Sequence, residues 1–388
     1  PSLPYMSEEV RRLVWDGSLA VSFALASSEV VTEHPPAPVY AMVARLSYLP
    51  LVLESHSVRR ALAPLGTLDN APCWIECKKT HSPLLWSMPI GLQHDLIAAH
   101  AMASARATAA ARAKDAAAAA AAAATAATAA TAATAADGDA DAAADGGGGA
   151  AVGAESATDA GTAKPTAANG GDSDVVTAAA EAAVKAATGG SAGAAGVDGV
   201  WELVVHFTDF PHDAEDDEAD TANMMDMTTM VEAEEVKAWY MNRLKEAEYV
   251  KHGSSKGIML MSKANHAQLF RAVATHDYDR YWAVNRTLSA DSVASPAKLK
   301  HVPLRLAFRN TPTMADLILP IHPTTGELTT LGNALDALLP DKPPGTIVLV
   351  HGVELDPDVT LHDLTNSMAY ADNFVYVAIA YPPHSLPA

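Results

Sequence analysis

At 388 residues and a formal net charge of −20, the chain is long enough for two or three domains. It is too acidic for a nucleic-acid binder, which needs a clustered basic footprint to neutralise phosphates. Hydrophobic residues reach 49%, but alanine inflates that figure, and the 6% of aromatic residues lie in two flanks around an Ala-, Thr-, Gly- and Asp-rich middle, so the cores belong to the flanks.

The first predicted element is a helix with Ser7 as N-cap, Glu8 and Glu9 in its first turn, apolar Val10, Leu13 and Val14, and Gly17 just past its end. Strand patterns follow at Leu19 to Leu25 and Tyr40 to Leu46, then a helix around His56 to Ala63, a strand from Cys73 to Lys78 and a short one at Leu84 to Trp86. Pro89 opens a short helix, Ile90 to Ile97, because proline is tolerated in a first turn. From about His100 to Gly199 the sequence is low complexity; alanine favours helix, but the segment offers almost no apolar area to dock, so a disordered insertion with transient helix is expected. Order resumes with the alternating strand Trp201 to Phe207, and the acidic run Asp213 to Asp220 reads as a solvated loop.

Between Val231 and Leu288 the periodicity is helical. Val236, Trp239, Tyr240, Leu244, Ala247 and Val250 form one face of a helix that Gly253 stops; a second helix starts after Ser262 with Leu269, Phe270 and Val273 inward, and a third carries Tyr281, Trp282, Val284 and Leu288. The C-terminal stretch reads as strands Leu304 to Phe308 and Ala315 to Ile321, helix Leu331 to Leu339, strand Thr346 to His351, helix Leu361 to Met368 and strand Phe374 to Ala380. Two strands, a helix and further strands is the order of a β-grasp, and the N-terminal flank repeats it. The expected class is therefore α+β: two ubiquitin-like (β-grasp) domains flanking a helix-rich domain. The expected boundaries are an N-terminal extension and helix at 1–17, a first ubiquitin-like domain at 18–99 and 200–212, a low-complexity insertion at 100–199, an acidic loop and helix-rich domain at 213–299, and a second ubiquitin-like domain at 300–388.

Few residues suggest chemistry. Cys73 and Cys77, four apart in a strand, share a face but stand roughly 13 Å apart along it, too far for one tetrahedral metal, and read as packing residues. A thiol-dependent hydrolase or transferase using either cysteine with His81 is the rival reading, although no family signature surrounds them. The fifteen histidines include no HExxH, so neither a metal nor a cofactor is expected. Gly253 to Gly257 lacks the spacing of a phosphate loop, and His351-Gly352 reads as a turn. With two cysteines, no secretory pattern and no run near the roughly 20 strongly apolar residues of a membrane span, a cytosolic compartment is expected. The given sequence ends Ser385, Leu386, Pro387, Ala388 rather than in the glycine of a transferable modifier. Lys245 lies about 180° from Val236 around its helix, opposite the apolar stripe, so its amine is expected to be fully accessible; most surface lysines share that property and are inert.

Several stretches, in order along both flanks, resemble the autophagy protein 5 family: Leu13-Val14-Trp15-Asp16-Gly17, RLSYL from Arg45 to Leu49, WSMPIGLQHDL from Trp86 to Leu96, and WELVVHFTDFP from Trp201 to Pro211. LKEAEYVKH from Leu244 to His252, YDRYWAVNRTL from Tyr278 to Leu288, and Asp372-Asn373-Phe374 complete the match. The resemblance implies a non-enzymatic scaffold whose lysine, Lys245 by the match, takes an isopeptide bond from autophagy protein 12, with Lys251 and Lys256 as alternatives. It also implies a groove at the meeting of the three domains for the N-terminal helix of autophagy protein 16, with Trp15, Arg45, Gly91 and Asp95 as candidate contacts. Arg45 and Asp95 would pair with charges on that helix, while for Trp15 a core anchor and for Gly91 a tight helix start are the plainer readings. Such a complex would promote transfer of autophagy protein 8 to phosphatidylethanolamine, meeting the conjugating enzymes autophagy proteins 10 and 3 transiently. It would be cytoplasmic and recruited peripherally to the phagophore membrane.

Overall fold

The computed structural model describes residues 4–29, 36–54, 72–136, 199–208, 228–309, 311 and 313–383. Helix α1 (Pro4–Asp16) precedes strands β1 (Ser18–Leu25) and β2 (Val39–Ala44), helix α2 (Leu49–Leu53), strands β3 (Trp74–Cys77) and β4 (Ser82–Pro83), helix α3 (Ile90–Ala136) and strand β5 (Trp201–His206). Helices α4 (Ala233–His252), α5 (Lys256–Met259), α6 (Lys263–Ala274) and α7 (Tyr278–Ala294) follow. Strands β6 (Leu304–Ala307) and β7 (Met314–Ala315), helix α8 (Leu331–Leu338), strands β8 (Ile347–Val350) and β9 (Val353–Glu354), helix α9 (Leu361–Ser367) and strand β10 (Val375–Ala380) complete the described chain.

The sheets have one topology, β2-β1-β5-β3-β4 and β7-β6-β10-β8-β9, with the central pair parallel and its neighbours antiparallel. That is the ubiquitin-like arrangement, in which the last strand inserts at the centre beside the first. Alternation in β1 and β5 puts Leu19, Val21, Phe23, Leu203 and Val205 on the buried face, where Ile75, Cys77, Leu49 and Ile90 meet them. β10 is buried at all six positions, as its unbroken apolar run requires of a central strand covered on both faces. A larger core joins α1, the helices α4 to α7 and the second sheet.

Several local expectations change. Ser7 lies inside α1, which begins a turn earlier at Pro4, and Gly17 accepts a hydrogen bond from Arg45 N (2.9 Å) rather than adopting a left-handed cap. Gly253 does take the left-handed conformation, φ 69°, that ends α4. Leu84 to Trp86 is not a strand, because β4 falls just before it, and the helix expected around His56 to Ala63 lies outside the described residues. The short helix expected at Ile90 to Ile97 runs on to Ala136, through residues expected to be disordered, since alanine carries the highest helix propensity and nothing there breaks the ladder. Ala99 and Ala103 are buried, whereas Thr108 to Ala122 are exposed. The chain divides into two compact units, 1–105 with 173–388, and 106–172; the described residues of the second are helical.

On α4 the buried stripe is Val236, Tyr240, Leu244, Ala247 and Lys251, with Glu248 beside it. Val250 and Trp239 are only half-buried, so the stripe runs in steps of three and four through a lysine that its charge disguised. The helices fasten to the second sheet through the loop before β10. Tyr240 and Tyr281 both donate to Ala371 O (3.1 and 2.8 Å), and the side-chain amides of Asn285 and Asn373 bond each other reciprocally (3.1 and 2.9 Å). Replacing Asn285 by leucine is expected to cost about 1–3 kcal/mol in denaturant unfolding, because the Asn373 amide then stays buried without its partner. Asn285→Leu together with Asn373→Leu should not be additive.

Candidate functional site

Where the three modules meet, side chains from α1, the loop after β2, α3, α7 and the β8–β9 turn converge. Arg45 and Asp95 form an ion pair with side chains only 8% and 1% exposed. Burial raises the Asp95 carboxyl, but the Arg45 guanidinium and His94 outweigh it and hold it below its ordinary value. Burial likewise disfavours the Arg45 charge, and Asp95 and Tyr370 more than restore it. Gly352, in the turn between β8 and β9, abuts the pair so closely that a methyl group there would lie 3.1 Å from both Arg45 Nη2 and Asp95 Oδ1. The pair thus joins the first sheet domain to the second.

Gly91 makes the same junction possible. Its amide donates to Arg45 O (2.8 Å), and an added Cβ would fall 2.7 Å from both Arg45 Cβ and Arg45 O, so only glycine lets α3 start against that backbone. Trp15 is buried at 3% exposure, stacked on His276 (5.4 Å) and tilted against Tyr281 (4.7 Å), anchoring α1 to the helical module. The structure therefore brings Trp15, Arg45, Gly91 and Asp95 to one junction. It spends the charges of Arg45 and Asp95 on each other rather than leaving them to a partner, because two charges this deeply buried require mutual neutralisation.

Sequence reasoning read His351-Gly352 as a turn, which it is, with φ 52° and 80°, but missed what the histidine does there. Its Nε2–H donates to Met368 O (2.9 Å), its ring stacks on Tyr370 (4.2 Å), and burial, with Arg45 second, lowers it to about 4. The ring is neutral in the fold. A histidine in a tight turn where Asn or Gly is usual was the one available signal.

Lys245 is half-buried rather than fully accessible: its stem lies along α4 and its amine donates to Asn242 Oδ1 (3.4 Å), one turn back. Lys251 is 1% exposed and burial lowers it to about 8, whereas Lys256 is exposed. Both cysteines are buried and free. Burial pushes the Cys73 thiol up to about 11; Cys77, where hydrogen bonds from Thr80 and Trp201 overcome burial, is lowered but only 1% exposed. His81 turns to Glu76 (3.3 Å). Among the described residues no group of three or more His, Cys, Asp or Glu is placed to hold a metal ion, and no helix is long and apolar enough to cross a membrane.

Three family models match in chain order: Autophagy protein ATG5, UblA domain, over residues 14–111; its alpha-helical bundle region over 233–291; and its UblB domain over 301–379. Together they cover more than half of the sequence. The chain belongs to the autophagy protein 5 family. Autophagy protein 5 of Drosophila melanogaster is 21% identical over 96% of this chain and 97% of its own, and that of Aspergillus fumigatus 25% identical over 95% and 94%. The crystal structure of Kluyveromyces marxianus Atg5 shares the fold, with a TM-score of 0.55 at 15% identity, covering 95% of this chain and 98% of its own. Membership in the autophagy protein 5 family makes the chain a component of autophagy. In the family's terms, the Arg45–Asp95 pair of UblA is clamped by the β8–β9 turn of UblB.

The clamp predicts two results. Arg45→Met is expected to destabilise the protein by about 3–5 kcal/mol, and Arg45→Met with Asp95→Leu to recover most of that loss, as read by denaturant midpoints, because an unpaired buried charge costs more than a missing pair. His351 binds its proton less readily in the fold than its ordinary 6.5, so its contribution is fully present above pH 6.5 and is lost as pH falls toward about 4. Over that window the loss is on the order of 3 kcal/mol, and His351→Asn, which tolerates the positive φ, should flatten that part of the stability profile.

Proposed function

We propose that the chain is a non-catalytic scaffold that takes an isopeptide bond from autophagy protein 12 on Lys245 and holds the N-terminal helix of autophagy protein 16 at the junction of its three modules. The assembled complex promotes transfer of autophagy protein 8 to phosphatidylethanolamine, engages autophagy proteins 10 and 3 transiently, and is recruited from the cytoplasm to the phagophore membrane. The observation that carries this reading is the division of labour on α4: one face buries Val236, Tyr240, Leu244, Ala247 and Lys251, and Lys245, within the LKEAEYVKH match, stands off that face. A fixed helix offering an amine on its outer side suits an acceptor, whose proton the conjugating enzyme must remove, since a lysine amine is protonated at neutral pH. The burial of Lys251 leaves Lys256 as the nearby alternative.

At the junction Trp15 seats α1 against His276 and Tyr281, and Arg45, Gly91 and Asp95 shape the proposed groove through the clamp. The thiol reading has little support: Cys73 carries its proton at neutral pH, Cys77 is enclosed, and His81 pairs with Glu76.

Reconstitution with autophagy protein 12 and its activating and conjugating enzymes tests the acceptor. Lys245→Arg should abolish the higher-mass band on a denaturing gel, and a band that persists in Lys245→Arg but disappears in Lys256→Arg would move the site. Calorimetric titration with a synthetic peptide of the autophagy protein 16 N-terminal helix tests the groove, and a peptide that does not bind the folded chain overturns that part.

A further inference from the structure

A sheet edge exposes unpaired backbone N–H and C=O groups, and folded chains blunt such edges with short strands, charged side chains or proline. Three of the edges here follow that rule: β4, β7 and β9 are two residues each, and β4 contains Pro83 and β9 Glu354. The remaining edge, β2, runs for six residues, VYAMVA from Val39 to Ala44, with neither a charge nor a proline. Its Tyr40 and Met42 are 70% and 69% exposed, so nothing among the described residues covers them. In the ladder with β1 they lie opposite Ser22 and Ala20 on the outer face of the sheet, while Val39, Ala41 and Val43 turn toward the first core.

The hydrogen-bond phase of β2 fixes which of its backbone groups are free. Arg45 N donates to Gly17 O, its opposite number in the register, so the residues bonded to β1 alternate from there through Val43, Ala41 and Val39. Ala26 N donating to Val205 O agrees, since it turns the even-numbered residues of β1 toward β5 and the odd-numbered ones toward β2. The N–H and C=O groups of Tyr40 and Met42 therefore point off the edge. A second β2 laid antiparallel, Ala41 against Ala41, satisfies all of them, because Tyr40 and Met42 of each copy then exchange N–H···O=C bonds with Met42 and Tyr40 of the other. The same register sets each Tyr40 ring across from a Met42 thioether on the outer face, a favourable sulfur–aromatic contact, and each Val39 across from a Val43 on the core face. The strand is complementary to itself, as a two-fold interface requires. Pro38, with no N–H to donate, ends the ladder. We propose that the free edge of β2 pairs with the β2 of a second copy of this chain, joining two first sheet domains into one continuous sheet. Two tyrosine rings and two methionine side chains this exposed bring about 500 Å² of apolar surface, short of the roughly 1,000 Å² that a lasting interface clears. The dimer is therefore concentration-dependent rather than obligate. Copies that each carry a net charge of −20 repel one another while the contact itself holds no ion pair, so salt strengthens it.

Sedimentation velocity of the full chain over roughly 1 µM to 1 mM tests the pairing. The expected result is a monomer that shifts toward a dimer as concentration rises, with a larger shift at about 0.5 M salt than at about 0.05 M. Met42→Glu should weaken the dimer at least about tenfold, and the thermal midpoint checks that this variant folds as the wild type does. Ala41→Cys, which the register puts on the two-fold axis at the Cα separation of about 4.5 Å of a non-hydrogen-bonded pair, should give a doubled mass on a non-reducing gel after mild oxidation. Tyr40→Cys, whose own copies stand two residues out of register, should not. A chain that stays monomeric at every concentration overturns the proposal and leaves the edge to an extended segment of another protein. A dimer that survives Met42→Glu, one that salt dissolves, or a cross-link through Tyr40→Cys in place of Ala41→Cys overturns it as well. None of these measurements depends on Lys245 or on the junction of the modules.

Discussion

The backbone carbonyl of Ala371 accepts hydrogen bonds from two tyrosines on two different helices, and the arrangement of the modules depends on it. Tyr240 and Tyr281 are fully buried, so each hydroxyl needs a partner, and the chain supplies it in a loop that cannot shift without losing both. The loop is itself rigid: Tyr370 N donates to Phe374 O (2.8 Å), and Asp372 accepts from Phe374 N (3.1 Å) and Tyr376 OH (2.6 Å). Burial raises the Asp372 carboxyl, and those same bonds oppose the rise. Asn373, at φ 67°, turns its amide onto Asn285. Apolar packing would tolerate several ways of docking a helix bundle on a sheet domain; this polar set accepts one.

The first sheet domain is fixed by a second polar contact of opposite economy. Arg45 and Asp95 neutralise each other within their own domain and present their outer surface to the turn at His351 and Gly352. An ion pair so deeply buried contributes little net stability over an apolar replacement. Its effect lies in specificity, because Gly17, Gly91 and Gly352 leave room around it for backbone and for nothing larger. Together the two contacts hold α1 in place, with Trp15 stacked between His276 and Tyr281, and so define the junction to which the proposed partner helix binds.

The same helix, α4, serves both halves of the proposed function. Its inner face carries Tyr240 to the Ala371 carbonyl, and its outer side carries Lys245. The proposed acceptor therefore sits on an element tied to the second sheet domain through Tyr240. The buried Lys251 on the same helix shows the energetic contrast: burial lowers its amine to about 8, and enclosure keeps it from any incoming thioester.

What the sequence determined by itself were the elements and their order, because alternation and helical periodicity are local. The alternating residues of β1 and β5, the apolar run of β10, the N-cap Ser262 accepting from Asn265 N and the stop at Gly253 are each legible within a few residues. The repeated order of strands and helix was enough to expect two β-grasp domains, and the quoted motifs were enough to expect the family. Tertiary structure alone decided what long-range partners control. Glu248 and Lys251 are buried because other modules cover them, and Arg45 turns to Asp95, fifty positions away, because both side chains are buried and each charge needs the other. α3 continues to Ala136 because alanine's preference for helix operates where no tertiary contact opposes it. Charged and polar side chains were misread most often, since a charge is exposed by default and buried only when a distant residue offers a partner.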